Sequence, residues 1–163
     1  MGPSRLPFES CYSWVMANVS PKIVHADLSA PSHLANSSGQ WLLRGDDTGG
    51  AFALHSGTLA PGTGAPLHVH TREDETFYVI AGQVEAIAGN DRATLRGGDC
   101  IFLPRNIPHR LQNVSSDIAQ VIMLIQPAGL EGFFDQVEQL SKNGPPPPEA
   151  LRELAARFGL NPL

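Results

Sequence analysis

An all-β barrel or sandwich with a short helical tail is the fold this sequence predicts, on three observations. Turn-forming residues recur at short intervals through the middle, at Gly45, Gly49-Gly50, Pro61-Gly62, Gly82, Gly89-Asn90 and Gly97-Gly98. The runs between them are short, and many are β-branched or aromatic, as strands separated by tight turns require. Helical spacing appears only after Gly129, where Leu130, Phe133, Phe134, Val137 and Leu140 recur on one face.

The runs read as strands are Gln40–Arg44, Ala51–Leu59, Thr76–Ala81, Gln83–Ala88, Arg92–Leu95, Cys100–Leu103, His109–Val114 and Ile118–Ile125. Asn90-Asp91, after Gly89, reads as a hairpin turn. A helix is expected over 130–141, then a stiff break at Pro145–Pro148, then a second helix over 148–158 ending before Gly159. The organisation is therefore an arm over 1–36, a barrel over 37–128 and a helical segment over 129–163. Trp41, Phe52, Phe77, Tyr78 and Phe102 are expected chiefly in the core.

Composition narrows the functional classes. Of 163 residues, 42% are hydrophobic and 17% charged, so one domain with a full core is expected and extensive disorder is not. Eleven dispersed Lys and Arg against sixteen Asp and Glu cannot build a basic face, which argues against nucleic acid or anionic lipid as a partner. The longest apolar run, Val121–Ile125, is far too short to span a membrane, and no leader pattern is visible, so a cytoplasmic location is expected. Cys11 and Cys100 form no CxxC pair and read as reduced structural thiols. Sequons at Asn18, Asn36 and Asn113 read as accidental.

Chemistry concentrates in one constellation. His68-Val69-His70 sets two imidazoles at i and i+2, on one face of a strand. Glu75 follows after the polar turn Thr71–Asp74, and His109 begins a later strand just after Pro108. Imidazoles and a carboxylate on one barrel face suit a first-row divalent metal. The charged run Arg72-Glu73-Asp74 reads as solvated surface, and Arg105 and Arg110 as surface charges able to orient an anionic substrate. His25 and His33 read as surface residues of the arm. His55, in the strand Ala51–Leu59, is a further candidate for the pocket.

Around these residues the chain resembles the cupin superfamily. Gly62, His68, His70, Glu75 and Gly82, at intervals of five, one, four and six residues, resemble the first cupin motif. Gly98, Pro104, His109 and Asn113 resemble the second, with Asn106 where that motif usually has Gly. Asn tolerates a left-handed backbone better than most residues, so the turn is expected to survive. Flanking segments such as Pro66–His70, Asp74–Val79 and Pro127–Phe134 resemble small single-domain cupins of the quercetin-dioxygenase-like group, to which cupin polyketide cyclases are related.

The resemblance implies a double-stranded β-helix, that is, a jelly-roll barrel, and commonly a homodimer. It implies one divalent metal (Fe, Mn, Ni, Co, Cu or Zn) on His68, His70, Glu75 and His109, with Glu75 also the catalytic proton acceptor. Phe77 and Val79 share the face of Glu75, and Leu111 that of His109; with Phe52 and His55 they are the candidate substrate pocket. The activity expected first is a metal-dependent dioxygenase acting with O2 on an aromatic or enolisable small molecule, such as a flavonol or polyketide-like phenol. A zinc-type cyclase or isomerase, and a binding module without turnover, are the alternatives.

Overall fold

The computed structural model describes residues 19–25, 37–142 and 144–163. The arm expected over 1–36, with Cys11, His33 and the Asn18 and Asn36 sequons, falls largely outside them. Ten strands and three helices follow in order: β1 (Ser37–Leu43), α1 (Gly45–Thr48), β2 (Ala53–Leu59), β3 (His68–His70), β4 (Asp74–Ala81), β5 (Gln83–Ala88), β6 (Asp91–Arg96), β7 (Cys100–Leu103), β8 (His109–Gln112), β9 (Ala119–Gln126), α2 (Glu131–Ser141), α3 (Pro148–Arg157) and β10 (Leu160–Pro162). Among the described residues, no helix is long and apolar enough to cross a membrane.

Two five-stranded antiparallel sheets form the barrel, in the orders β1-β2-β9-β4-β7 and β10-β3-β8-β5-β6. Their inner faces follow a period of two. On β9, Ala119, Val121, Met123 and Ile125 are buried and the residues between them are not. One end of the barrel is closed by apolar side chains from both sheets, including Leu59, Val79 and Val121 on one and Val84, Ala86, Leu95 and Leu111 on the other. At the opposite end Met123 and Ile125 pack instead against Leu130, Ala155 and Leu160, with Phe133, Phe134 and Phe158 beside them. The helices thus dock on the end that the sheets leave open.

Of the barrel turns that use left-handed backbone, two bear on how the strands are held. Gly82, between β4 and β5, has φ +81°, and a Cβ there would lie 2.7 Å from the Ala119 Cα. Asn106 adopts φ +65°, as its place in the second motif requires, and its N–H donates to the His70 carbonyl at 2.7 Å. Asn113 of the same motif is structural. Its amide donates to the carbonyls of Leu59 (2.8 Å) and Asp117 (2.7 Å), and its full burial accounts for an accidental sequon.

Several expectations need correction. The segment after Gly129 is not only helical, because Leu160–Pro162 returns as β10 and pairs with β3, setting Leu160 opposite His70 and Pro162 opposite His68. Gly45 opens the short helix α1 rather than a simple turn. The β5–β6 turn is Gly89-Asn90, since Asp91 already pairs with Ala88. Tyr78 and Phe102 are 46% and 58% exposed, because alternation that turns Glu75, Phe77 and Leu103 inward turns these two outward. Cys100 is a free thiol, in keeping with the reduced state expected of it, and it is exposed.

The short strand β10 supports the strand that carries two of the candidate ligands, because β3 meets β8 through a single register pair, His68 with His109. The other edge of β3 is held by β10 and by the bonds from Thr71 N–H to Gly159 O (2.9 Å) and from Leu163 N–H to Leu67 O (3.1 Å). Deleting residues 159–163 removes these bonds and buried Leu160, a side chain whose loss alone is worth about 2–5 kcal/mol. The melting temperature of the truncated protein is expected to fall by about 5–20 °C. An unchanged melting temperature would show that β3 needs no such support.

Candidate metal centre

Three strands, β3, β4 and β8, bring the four candidate ligands together. His68 and His70 lie on one face of β3, His109 sits directly across from His68 at the start of β8, and Glu75 reaches in from β4 of the other sheet. One ligand atom from each lies within 4.8 Å of all the others. His68 Nε2 is 3.0 Å from His70 Nε2, His109 Nε2 is 3.1 Å from Glu75 Oε2, and His70 Nε2 is 3.5 Å from Glu75 Oε1. His70, Glu75 and His109 are buried, and His68 is half-buried.

The other ring nitrogens show that this donor set fits a cation. His68 Nδ1 lies 2.7 Å from the Pro66 carbonyl, and His109 Nδ1 lies 2.9 Å from the Ile107 carbonyl. A carbonyl only accepts, so both Nδ1 atoms carry their protons, and in the neutral rings both Nε2 atoms present lone pairs. Those lone pairs converge on each other's neighbours and on a carboxylate. Such an arrangement is satisfied by a positive charge at its centre.

Without a metal, protons answer the same demand. Burial by itself raises the Glu75 carboxyl, but the His109 hydrogen bond and the charges of His70, His109 and His68 outweigh it and hold Glu75 below its ordinary value. Burial pushes His109 down, yet the hydrogen bond and charge of Glu75 raise it overall. His68 ends lower than usual, because burial exceeds the pull of Glu75.

The cluster forms part of the wall of a cavity of about 430 Å³, within the range of small-molecule sites. Leu59, Phe77, Leu111, Val121 and Met123 supply apolar barrel walls, and Phe133, Phe134, Val137, Leu151 and Ala155 of the two helices cover its mouth. Of the candidate pocket residues, His55, Phe77 and Leu111 line this cavity. Val79 shares the face of Phe77 but lies one step further along β4, inside the packed end of the barrel. Phe52 does not line the cavity either, since alternation from Ala53 and His55 faces it the other way. Gly57 and Gly39 make room for the His55 ring, whose Cε1 would sit 2.8 and 3.0 Å from a Cβ at those positions.

The charged residues near the site are mostly paired elsewhere. Arg105 makes a bidentate ion pair with Asp74, at 3.0 and 2.8 Å, which holds the Asp74 carboxyl down at about 2. Arg110 donates to Glu85 at 2.6 Å. Glu73, read as solvated, is instead buried against His70; the charged run around it hid that signal, and only the tight turn into β4 reveals it. Missed as well were the helical residues of the cavity mouth, whose periodicity showed a buried face without its partner.

The family profile described as a cupin domain matches residues 55–125, which carry all four candidate ligands. The barrel has the cupin fold. A Cupin 2 conserved barrel domain protein from Salinispora arenicola superposes on it with a TM-score of 0.55 at 17% identity, covering 85% of this chain and 98% of that one. Tetracenomycin polyketide synthase protein TcmJ from Streptomyces glaucescens is 30% identical over 60% of this chain and 66% of its own. Quercetin 2,3-dioxygenase from Bacillus subtilis is 27% identical over 66% of this chain and 35% of its own. This cupin thus spans about a third to two thirds of the length of these two curated relatives.

His55 gives the site a stability test independent of metal. Burial lowers its imidazole from 6.5 to about 4, so between those values the unfolded chain binds a proton that the folded cupin does not. The stabilisation is complete above pH 6.5 and is lost as pH falls toward 4, amounting to about 3 kcal/mol. Urea unfolding at pH 4.5 and 7 is expected to show His55→Gln flattening that dependence by a similar amount. Equal slopes in both proteins would contradict it.

Proposed function

We propose that this cupin is a metal-dependent oxygenase of an apolar aromatic or enolisable small molecule, with a flavonol- or polyketide-like phenol as the substrate class. The observation that carries the reading is the cluster of three imidazoles and one carboxylate set in the wall of an apolar cavity. Similarity to a quercetin dioxygenase and to a polyketide synthase protein supports the substrate class.

His68, His70 and His109 through Nε2, and Glu75 through its carboxylate, would hold a first-row divalent ion. Such an ion, when bound, supplies Lewis acidity toward a substrate oxygen and, if redox-active, a route for electrons to O2. Glu75 remains anionic at neutral pH and is the group able to accept the proton of an incoming hydroxyl. Phe77, Leu111, Val121 and Met123 provide flat apolar contact to a ring system and keep water from it. A dioxygenase places both atoms of O2 in its product, so the substrate itself is the electron source and no separate reductant is needed.

A second reading is a non-redox cyclase or isomerase using zinc, favoured by the longer alignment with the polyketide synthase protein relative to that relative's own length. Oxygen uptake separates the two. Protein loaded in turn with Fe(II), Mn(II), Ni(II), Co(II) and Cu(II) is expected to consume O2 with at least one member of a panel of flavonols, phenols and β-diketones, in proportion to substrate lost. Turnover that persists under strict anaerobiosis, or with zinc alone, would overturn the oxygenase in favour of the second reading.

A further inference from the structure

The three imidazoles differ in what stands behind them. His68 and His109 each turn Nδ1 to a backbone carbonyl two residues earlier. His70 has no such carbonyl. Its Nδ1 faces Glu73 Oε2 at 3.5 Å, and among the described residues neither atom has a hydrogen-bond partner although both are buried. His70 is 1% exposed and Glu73 5%. Since His70 Nε2 points into the cluster, Nδ1 is the ring position left to carry the proton, and the Glu73 carboxylate is the acceptor facing it.

We propose that Glu73 is a positioning residue of the metal centre, whose carboxylate accepts the Nδ1–H of His70 and so fixes the tautomer and ring plane that aim Nε2 at the ion. This inference rests on the reading of the cluster as a metal centre. A ring rotation that shortens the contact by about half an ångström completes an ordinary hydrogen bond. The backbone on either side is already held. The His70 carbonyl accepts from Asn106 N–H at 2.7 Å, His70 pairs with Leu160 of β10, and Thr71 N–H donates to Gly159 O.

Glu73 also alters the charge balance. With neutral imidazoles, Glu75 alone would leave a divalent ion with one uncompensated positive charge in a buried site; Glu73 supplies the second negative charge at one remove. Carboxylate behind an imidazole makes the ring a stronger donor than a carbonyl does. His70 is thus the one of the three imidazoles whose support has a charged side chain that mutation can remove.

The test is titration of metal-stripped full-length protein with Co(II) and with Zn(II), comparing wild type, Glu73→Ala and Glu73→Gln. Glu73→Ala is expected to weaken Co(II) binding by about 10- to 100-fold and to shift its visible absorption bands. Glu73→Gln, which keeps an acceptor oxygen but not the charge, is expected to recover part of that loss. In the zinc-loaded wild type, a far-downfield, exchange-protected ring N–H proton assigned to His70 is expected, and it moves upfield in Glu73→Gln. Wild-type affinity and unshifted bands in Glu73→Ala, or an unmoved proton in Glu73→Gln, would overturn the role of Glu73 while leaving the metal centre intact. Failure of the wild type to bind either ion would overturn the metal centre itself.

Discussion

Two backbone carbonyls, those of Pro66 and Ile107, set the character of this molecule's interior. By holding protons on the outer nitrogens of His68 and His109, they turn lone pairs inward onto a buried carboxylate. With their outer nitrogens so fixed, the neutral His68 and His109 rings and the Glu75 carboxylate all present acceptors to the centre of the cluster. A cation satisfies them, and either protons or a metal ion can fill the role. The perturbed titration of Glu75 and His109 is the protonic version of the same demand.

The barrel is built around that demand as a gradient. Strands β4 and β9 run from a closed apolar end, where Val79 faces Val121, through Phe77 and Met123, to Glu75 and Ile125 near the docked helices. Packing therefore supplies stability at one end and room at the other. Strand β3, which carries two of the candidate ligands, has little pairing with β8 and leans on β10 instead. The C-terminal segment is consequently part of the site twice over, as the backing of the ligand strand and as the apolar cover of the cavity.

Much of this was legible in the sequence, for a physical reason. Alternation sets His68 and His70 on one face of a strand, and the resemblance to the two cupin motifs joined Glu75 and His109 to them. Asn106 was legible as a left-handed turn because few side chains tolerate that backbone. Alternation relates neighbours to each other but does not say how deep a residue lies, which is why Val79 fell into the packed end. Nor does it reveal long-range pairing, so the three-residue β10 was invisible behind a helix and a glycine. Glu73 was hidden differently, because a buried carboxylate between Arg72 and Asp74 has the local signature of a solvated turn.

The central claim is that the buried cluster exists to hold one divalent ion. Elemental analysis of protein purified after expression with several divalent metals available, in parallel with Glu75→Gln, tests it most directly. The account predicts close to one metal ion per chain in the wild type and its loss in the variant. A wild-type protein that remains metal-free under those conditions, or a Glu75→Gln protein that retains a full complement, would contradict it.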